Sequence, residues 1–269
     1  MDIADSRKCN LFNLVTLARY MEIDQALLIK YYNELLADQD FLISINNRIS
    51  EIRTKWGFKK GIFAKESILS VDWFAFERIL IYVLIRYLKP KVILETGVYY
   101  GGNSAFALQA LVKNGFGKMI SVDYPDSEIR RDDAVNKLRH SLVGDSELYD
   151  PKLRPGFMVP YSLYTNWELI EGDSLKVIPN LKEIFDFYIH DSDHSMKFLS
   201  QELTAAWNKL SKNALILVDD IDWSNAFFAF CVKHRLFPLL MTDNGKDNLR
   251  VRTGIALRGH ARNGNDLFT

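Results

Sequence analysis

Lys91-Val-Ile-Leu-Glu-Thr-Gly-Val-Tyr-Tyr-Gly-Gly-Asn-Ser104 constrains the fold more than any other stretch. A short apolar run follows Pro90, glycines recur at Gly97, Gly101 and Gly102, and Asn103 or Ser104 can cap a helix. The pattern predicts strand, tight turn and helix start, the opening of a doubly wound sheet with room for a ligand on the turn. It is not the dinucleotide pattern G-x-G-x-x-G, because Tyr99 stands where the second glycine belongs and Gly101 and Gly102 come late. A glycine turn of this kind also occurs in sheets that bind nothing there.

Downstream, Ser104 to Asn114 has helical spacing, Gly115-Phe-Gly117 ends it, and Lys118 to Asp123 is a second apolar strand. Strand, helix and strand in this order form a right-handed parallel unit. Asp123, at the second strand's end, reads as an acceptor for ribose hydroxyls or as a cap of the next helix, the ribose reading being preferred. Residues 124–166 exceed one helix and a connection. Ser127 to Leu142 is charged and helical in pattern, whereas Gly144 to Trp167 holds Pro151, Pro155, Gly156 and Pro160 among aromatics without a period, as in a lid or substrate wall. Alternation then resumes, with strands at Trp167–Ile170, Phe185–His190 and Ala214–Val218 and helices at Ser174–Ile184 and Met196–Leu210. Asp173, before Ser174, either caps its helix or meets an adenine. A helix from Asp222 to His234 and a hairpin of Leu236–Met241 with Val251–Arg258 complete the pattern.

Before residue 57 the apolar spacing predicts two or three amphipathic helices, read as covering one sheet edge, with a lid or a contact in a homo-oligomer as the alternative. Val71 to Leu88 is apolar nearly all round, a helix wedged between sheet and neighbours whose Glu77, Arg78 and Arg86 need partners. The division expected is an N-terminal helical cap, residues 1–70, and a main domain, 71–269, with the insertion at 124–166. Lysine plus arginine and aspartate plus glutamate are equal at 34 each, which argues against nucleic acid as a partner and favours a small-molecule substrate. Cys9 and Cys231 have neither disulfide-framework nor zinc spacing, and the most apolar stretch is broken by Arg86. A cytoplasmic protein without membrane attachment is expected.

Two strand ends carry more acid than capping requires: His190-Asp191-Ser-Asp193-His194 and Asp219-Asp220-Ile-Asp222. In an open parallel sheet both face the ligand crevice, beside the glycine turn. Carboxylates held close repel unless a cation or protons intervene. Mg2+ suits oxygen ligands, and His194 would favour Mn2+ or Fe2+. His190, last in its strand, reads as a packed histidine, and His194 as a ligand, proton shuttle or cap.

Glu95, Gly97, Tyr99 and Gly101 match the acidic-x-Gly-x-Tyr-x-Gly motif of class I S-adenosylmethionine (SAM) methyltransferases, and the two acidic strand ends resemble the metal motifs of cation-dependent small-molecule O-methyltransferases. The resemblance spans roughly residues 85–258. It implies an α/β Rossmann-like sheet, mostly parallel with one antiparallel C-terminal strand, plus the N-terminal helical segment. It also implies SAM as cofactor, bound by Glu95, Gly97, Tyr99, Gly101, Ser104, Asp123, Asp173 and Ser174. Asp191, Asp219 and Asp220 would hold a divalent cation such as Mg2+, with Asp193 as general base and His194 in the catalytic set. Alternatives are a metal-independent methyltransferase, a non-catalytic binding protein of the same fold, and metal-dependent oxygen chemistry.

Overall fold

A computed structural model describes residues 3–56, 76–124, 154–244 and 249–259. Its centre is a seven-stranded sheet of order β3-β2-β1-β4-β5-β7-β6. The strands are β1 (Val92–Thr96), β2 (Lys118–Asp123), β3 (Trp167–Glu171), β4 (Phe185–His190), β5 (Leu210–Val218), β6 (Leu239–Asn244) and β7 (Leu249–Leu257). β1 to β5 pair in parallel, and β7 runs antiparallel to both neighbours, β5 and β6. The strand order reverses at β1, so the carboxyl ends of β1 and β4 open the crevice in which such sheets bind ligands.

Alternating side chains divide the core. Ile93, Met119, Phe187, Leu215 and Ile255 face one layer, and Leu94, Ile120, Tyr188, Ile216 and Ala256 the other. The first layer is closed by α1 (Ile3–Met21), α2 (Gln25–Ala37), α3 (Gln39–Trp56), α4 (Phe76–Leu88) and α5 (Gly102–Asn114). The second is closed by α6 (Ser174–Asn180), α7 (Met196–Trp207) and α8 (Ala226–His234). The N-terminal helices therefore do more than cover an edge. α1 does reach edge strand β6, where Asn13 donates to the Thr242 carbonyl at 2.9 Å, but α2 packs on α4 inside the first layer. Each polar residue of α4 finds a partner: Glu77 with Asn103, Arg78 with Tyr100, and Arg86 with Glu34.

Several boundaries shift for local reasons. The helix from Ser174 stops at Asn180, since Pro179 cannot extend the ladder beyond its own turn. β5 begins at Leu210 and lengthens the expected strand. The helix after β5 starts at Ala226 because Asp220 adopts φ 47° and turns the chain first. Residues 57–75 and 125–153, including the charged stretch Ser127 to Leu142, lie outside the described residues.

Residues 154–166, within the expected lid or substrate wall, pack against the core. Met158, Val159 and Leu163 are buried in the first core layer, and Tyr161–Asn166 is a 3-10 helix leading into β3. Gly156 N–H donates to the Tyr99 carbonyl at 2.7 Å and Met158 N–H to that of Tyr100 at 2.9 Å, which fastens the segment across the glycine turn. Arg48 of α3 holds it from outside through the Phe157 carbonyl and the Tyr161 ring. The rest of the lid reading, 144–153, lies outside the described residues.

Candidate active site

β1 ends in the turn from Gly97 to Gly101. Gly97 has φ +80°, and a Cβ there would collide with the Asp191 carbonyl, so glycine is required for the turn to lie against the loop after β4. Gly101 has φ +87°, and a Cβ would meet Val159 at 2.7 Å and Gly156 at 2.8 Å. These two close approaches are to the protein's own backbone and core. Tyr99 is left-handed at φ 50° without being glycine. Asp123 explains how that conformation is held: its Oδ2 accepts from the N–H groups of Val98 (3.0 Å) and Tyr99 (2.7 Å), and its Oδ1 from Tyr124 N–H (2.8 Å). The residue assigned to ribose thus braces the turn.

The expected cap at Asn103 or Ser104 is replaced by Gly101, which is the N-cap of α5 and makes no side-chain cap bond. Asn103 and Ser104 are used elsewhere. Ser104 and Ser121 hydroxyls donate to Glu95 Oε2 at 2.7 and 2.6 Å, and all three side chains are buried. Burial drives the Glu95 carboxyl up to about 7, against the lowering effect of the two hydroxyls. Of the residues assigned to the cofactor, Glu95 and Ser104 are therefore interior. So is Ser174, whose hydroxyl bonds the buried Glu202, while Asp173 caps α6 by accepting from Leu175 N–H at 3.0 Å. A cap and an interior hydroxyl read the same as ligand contacts in sequence, because both sit at a strand end before a helix.

The acids do converge. Asp191, His194 and Asp219 each present a ligand atom within 4.8 Å of the others. Asp191 Oδ2 accepts from Asn103 at 3.1 Å, and the same amide nitrogen donates to Glu77 Oε1 at 3.1 Å, bringing in a third acidic residue, from α4. Although 35% of the Asp191 side chain is exposed, surrounding protein and the charges of Asp219, Asp220 and Glu95 push its carboxyl well above the usual range, with Arg78 opposing. Glu77 is raised strongly by burial and then by Asp219 and Asp191. His194 is held below its ordinary value by burial, against the pull of Asp220 and Asp193, and lies 3.9 Å from Asp191 Oδ1. It stacks on His190 at 5.3 Å between centroids; burial keeps His190 neutral, and its Nδ1 accepts from Ser192 N–H at 3.1 Å.

Asp220 and Asp193 are placed differently. Arg252 of β7 grips Asp220 Oδ1 through Nε at 2.6 Å and Nη2 at 2.5 Å, and reaches Asp219 Oδ2 at 3.5 Å. Asp220 is thereby counterbalanced and drawn toward β7. Asp193 is exposed, and its Oδ1 accepts from Ser195 N–H at 2.7 Å where the chain enters α7.

Residues 94–221 match the family described as a methyltransferase domain. The sheet they help to build has the class I methyltransferase fold. No curated protein matches the sequence. Among solved structures, the O-methyltransferase TomG from Streptomyces achromogenes, involved in tomaymycin synthesis and in complex with SAM, is 14% identical. It aligns with a TM-score of 0.50 over 79% of this chain and 88% of its own. The Bacillus cereus O-methyltransferase in complex with SAH is also 14% identical, with a TM-score of 0.50 over 85% of this chain and 96% of its own. At such identities the likeness is one of fold. The matched segment contains the turn and the acids, but two residues that bear on them, Glu77 and Arg252, lie outside it. The signal for Glu77 was an acid in a helix that is apolar nearly all round; Arg252 gave none, because only the placing of β7 beside β5 brings it to Asp220.

Proposed function

We propose that the protein is a SAM-dependent O-methyltransferase acting on a hydroxyl of a small molecule, assisted by a divalent cation. The observation that carries this reading is the contact of Gly97 with the backbone of Asp191, which makes the glycine turn and the acid cluster one site. The amino end of α5, without a side-chain cap, offers N–H groups and a favourable dipole to the donor's carboxylate. Asp123 stands at the end of β2 beside the turn, where a ribose would lie, and the O-methyltransferases of similar fold carry SAM or SAH.

The donor set fits a divalent cation. Two carboxylates and an imidazole lie within reach of one point, and burial, then the neighbouring carboxylates, raise the affinity of Asp191 for a proton. Asp191, Asp219 and His194 would hold the ion, with Asp220 withdrawn by Arg252, and a nitrogen ligand favours Mn2+ or Fe2+ over Mg2+. Bound there, it would stabilise negative charge on the acceptor oxygen. The chain's own residues do the rest: the turn and α5 orient the donor, Asn103 holds Asp191, and Asp193 takes the hydroxyl proton through its second oxygen. The metal-independent alternative is favoured by Arg252, which already supplies positive charge to Asp219 and Asp220. Calorimetric titration with SAH, with and without Mn2+, tests the proposal: no SAH binding overturns it, and binding of SAH without any retained metal selects the alternative.

A further inference from the structure

Glu202 lies on α7, apart from both the glycine turn and the acid cluster, and its side chain is fully buried. Five groups converge on its carboxylate. Oε2 accepts from Thr96 Oγ1 at 2.9 Å, Tyr188 OH at 3.0 Å and Ser192 Oγ at 2.8 Å; Oε1 accepts from Ser174 Oγ; and His190 Nδ1 stands 3.6 Å away. Burial raises its pKa and the hydroxyls oppose that. The ring nitrogen near it belongs to a histidine kept neutral by burial, so what holds this acid in the interior is hydroxyl donors.

The donors come from separate parts of the site. Thr96 is the residue before Gly97, Ser174 follows Asp173 at the start of α6, and Ser192 stands between Asp191 and Asp193. One carboxylate therefore ties the end of β1, the loop after β3 and the loop after β4 to one another from beneath. The second tie from above is the seat of Gly97 on Asp191. A buried carboxylate with hydroxyl donors on both oxygens fixes the rotamers of those donors, whereas an apolar residue in its place would leave the three loops independent.

We infer that Glu202 is a positioning residue that locks these three loops into one donor-binding frame. The inference rests on the reading of the site as a SAM site. Glu202→Ala removes the acceptor of four hydroxyls, and SAH affinity falls tenfold or more. Glu202→Gln keeps one acceptor oxygen for the Thr96, Tyr188 and Ser192 hydroxyls and offers its amide to Ser174, so affinity returns to within about threefold of the parent. Ser192→Ala cuts a single tie and costs a few-fold. Leu203→Ala, a core truncation on the same helix, lowers the melting temperature without loosening SAH.

The experiment is calorimetry with SAH on the parent and these four variants, below each variant's melting temperature, joined to hydrogen exchange on the unliganded proteins. In Glu202→Ala, exchange rises at 96–100, 173–176 and 191–195 beyond any rise in Leu203→Ala; in Ser192→Ala it rises at 191–195 alone. Should Glu202→Ala fail to fold, the Ser192→Ala and Glu202→Gln arms carry the test by the same readings. Equal exchange profiles in Ser192→Ala and the parent, or as large an affinity loss in Leu203→Ala as in the Glu202 variants, overturn the positioning role. A parent that binds no SAH overturns the SAM reading instead, and the exchange pattern then decides Glu202 by itself.

Discussion

Glu95→Gln isolates the cost of a buried acid beneath the glycine turn. The parent carboxyl titrates at about 7 in the folded protein against 4.5 when exposed. The folded state thus holds this proton more tightly, and the stability it gains is fully present below about pH 4.5, is lost as pH rises to about 7, and changes little beyond. A difference of 2.5 units at about 1.4 kcal/mol each gives roughly 3 kcal/mol, of which about 2.5 kcal/mol falls between pH 5 and pH 8. Glutamine accepts from Ser104 and Ser121 as the acid does, and does not titrate. Its amide leaves N–H groups on the side where Glu95 Oε1 has no partner, a penalty that is the same at both pH values and cancels in the difference. Urea unfolding of both proteins at pH 5 and pH 8 should therefore show the variant gaining about 2–3 kcal/mol on the parent across that range. Parallel stability curves would refute the reasoning and mean that Glu95 stays charged in the interior.

Gly97→Ala should destabilise by at least about 2 kcal/mol in urea unfolding, since it adds a left-handed φ for alanine to a collision with the Asp191 carbonyl. Met158→Ala should cost about 2–5 kcal/mol by the same measurement, as a core residue does and a residue of an open lid does not. Asp219→Ala should abolish retention of Mn2+ in calorimetry while SAH affinity stays within about threefold, or about 0.7 kcal/mol. Asp193→Asn should keep Mn2+ and lower methyl transfer by about 10²–10⁴-fold, with part of the loss recovered at higher pH; an unchanged rate removes Asp193 as base.

The sheet was legible because its strands are short apolar runs punctuated by glycine and proline, and β4 matches its expected bounds, Phe185 to His190. The convergence of the β4 and β5 strand ends was legible for the same reason: parallel strands open their carboxyl ends on one side. What sequence could not separate was the direction of each side chain. Ser104 and Ser174 lie one helical turn or less from the crevice, yet both bond interior carboxylates, and burial rather than spacing decides that. The segment 154–166 looked loop-like because its prolines and glycine break any period, while Met158, Val159 and Leu163 fill the core without one. Arg252 was invisible, since its meeting with Asp220 depends on a strand placed next to another 32 residues away.

The position of β7 has a consequence for how the molecule comes into being. It is the last of the described strands in sequence, yet it lies inside the sheet, between β5 and β6. During synthesis β5 must wait with an unpaired, apolar edge until residues near 257 leave the ribosome, and β6 has no place to dock before then. Arg252 arrives on that same strand. The acids at the end of β5 thus acquire their counter-charge in the event that closes the sheet, and a nascent chain carries them without it until β7 is inserted.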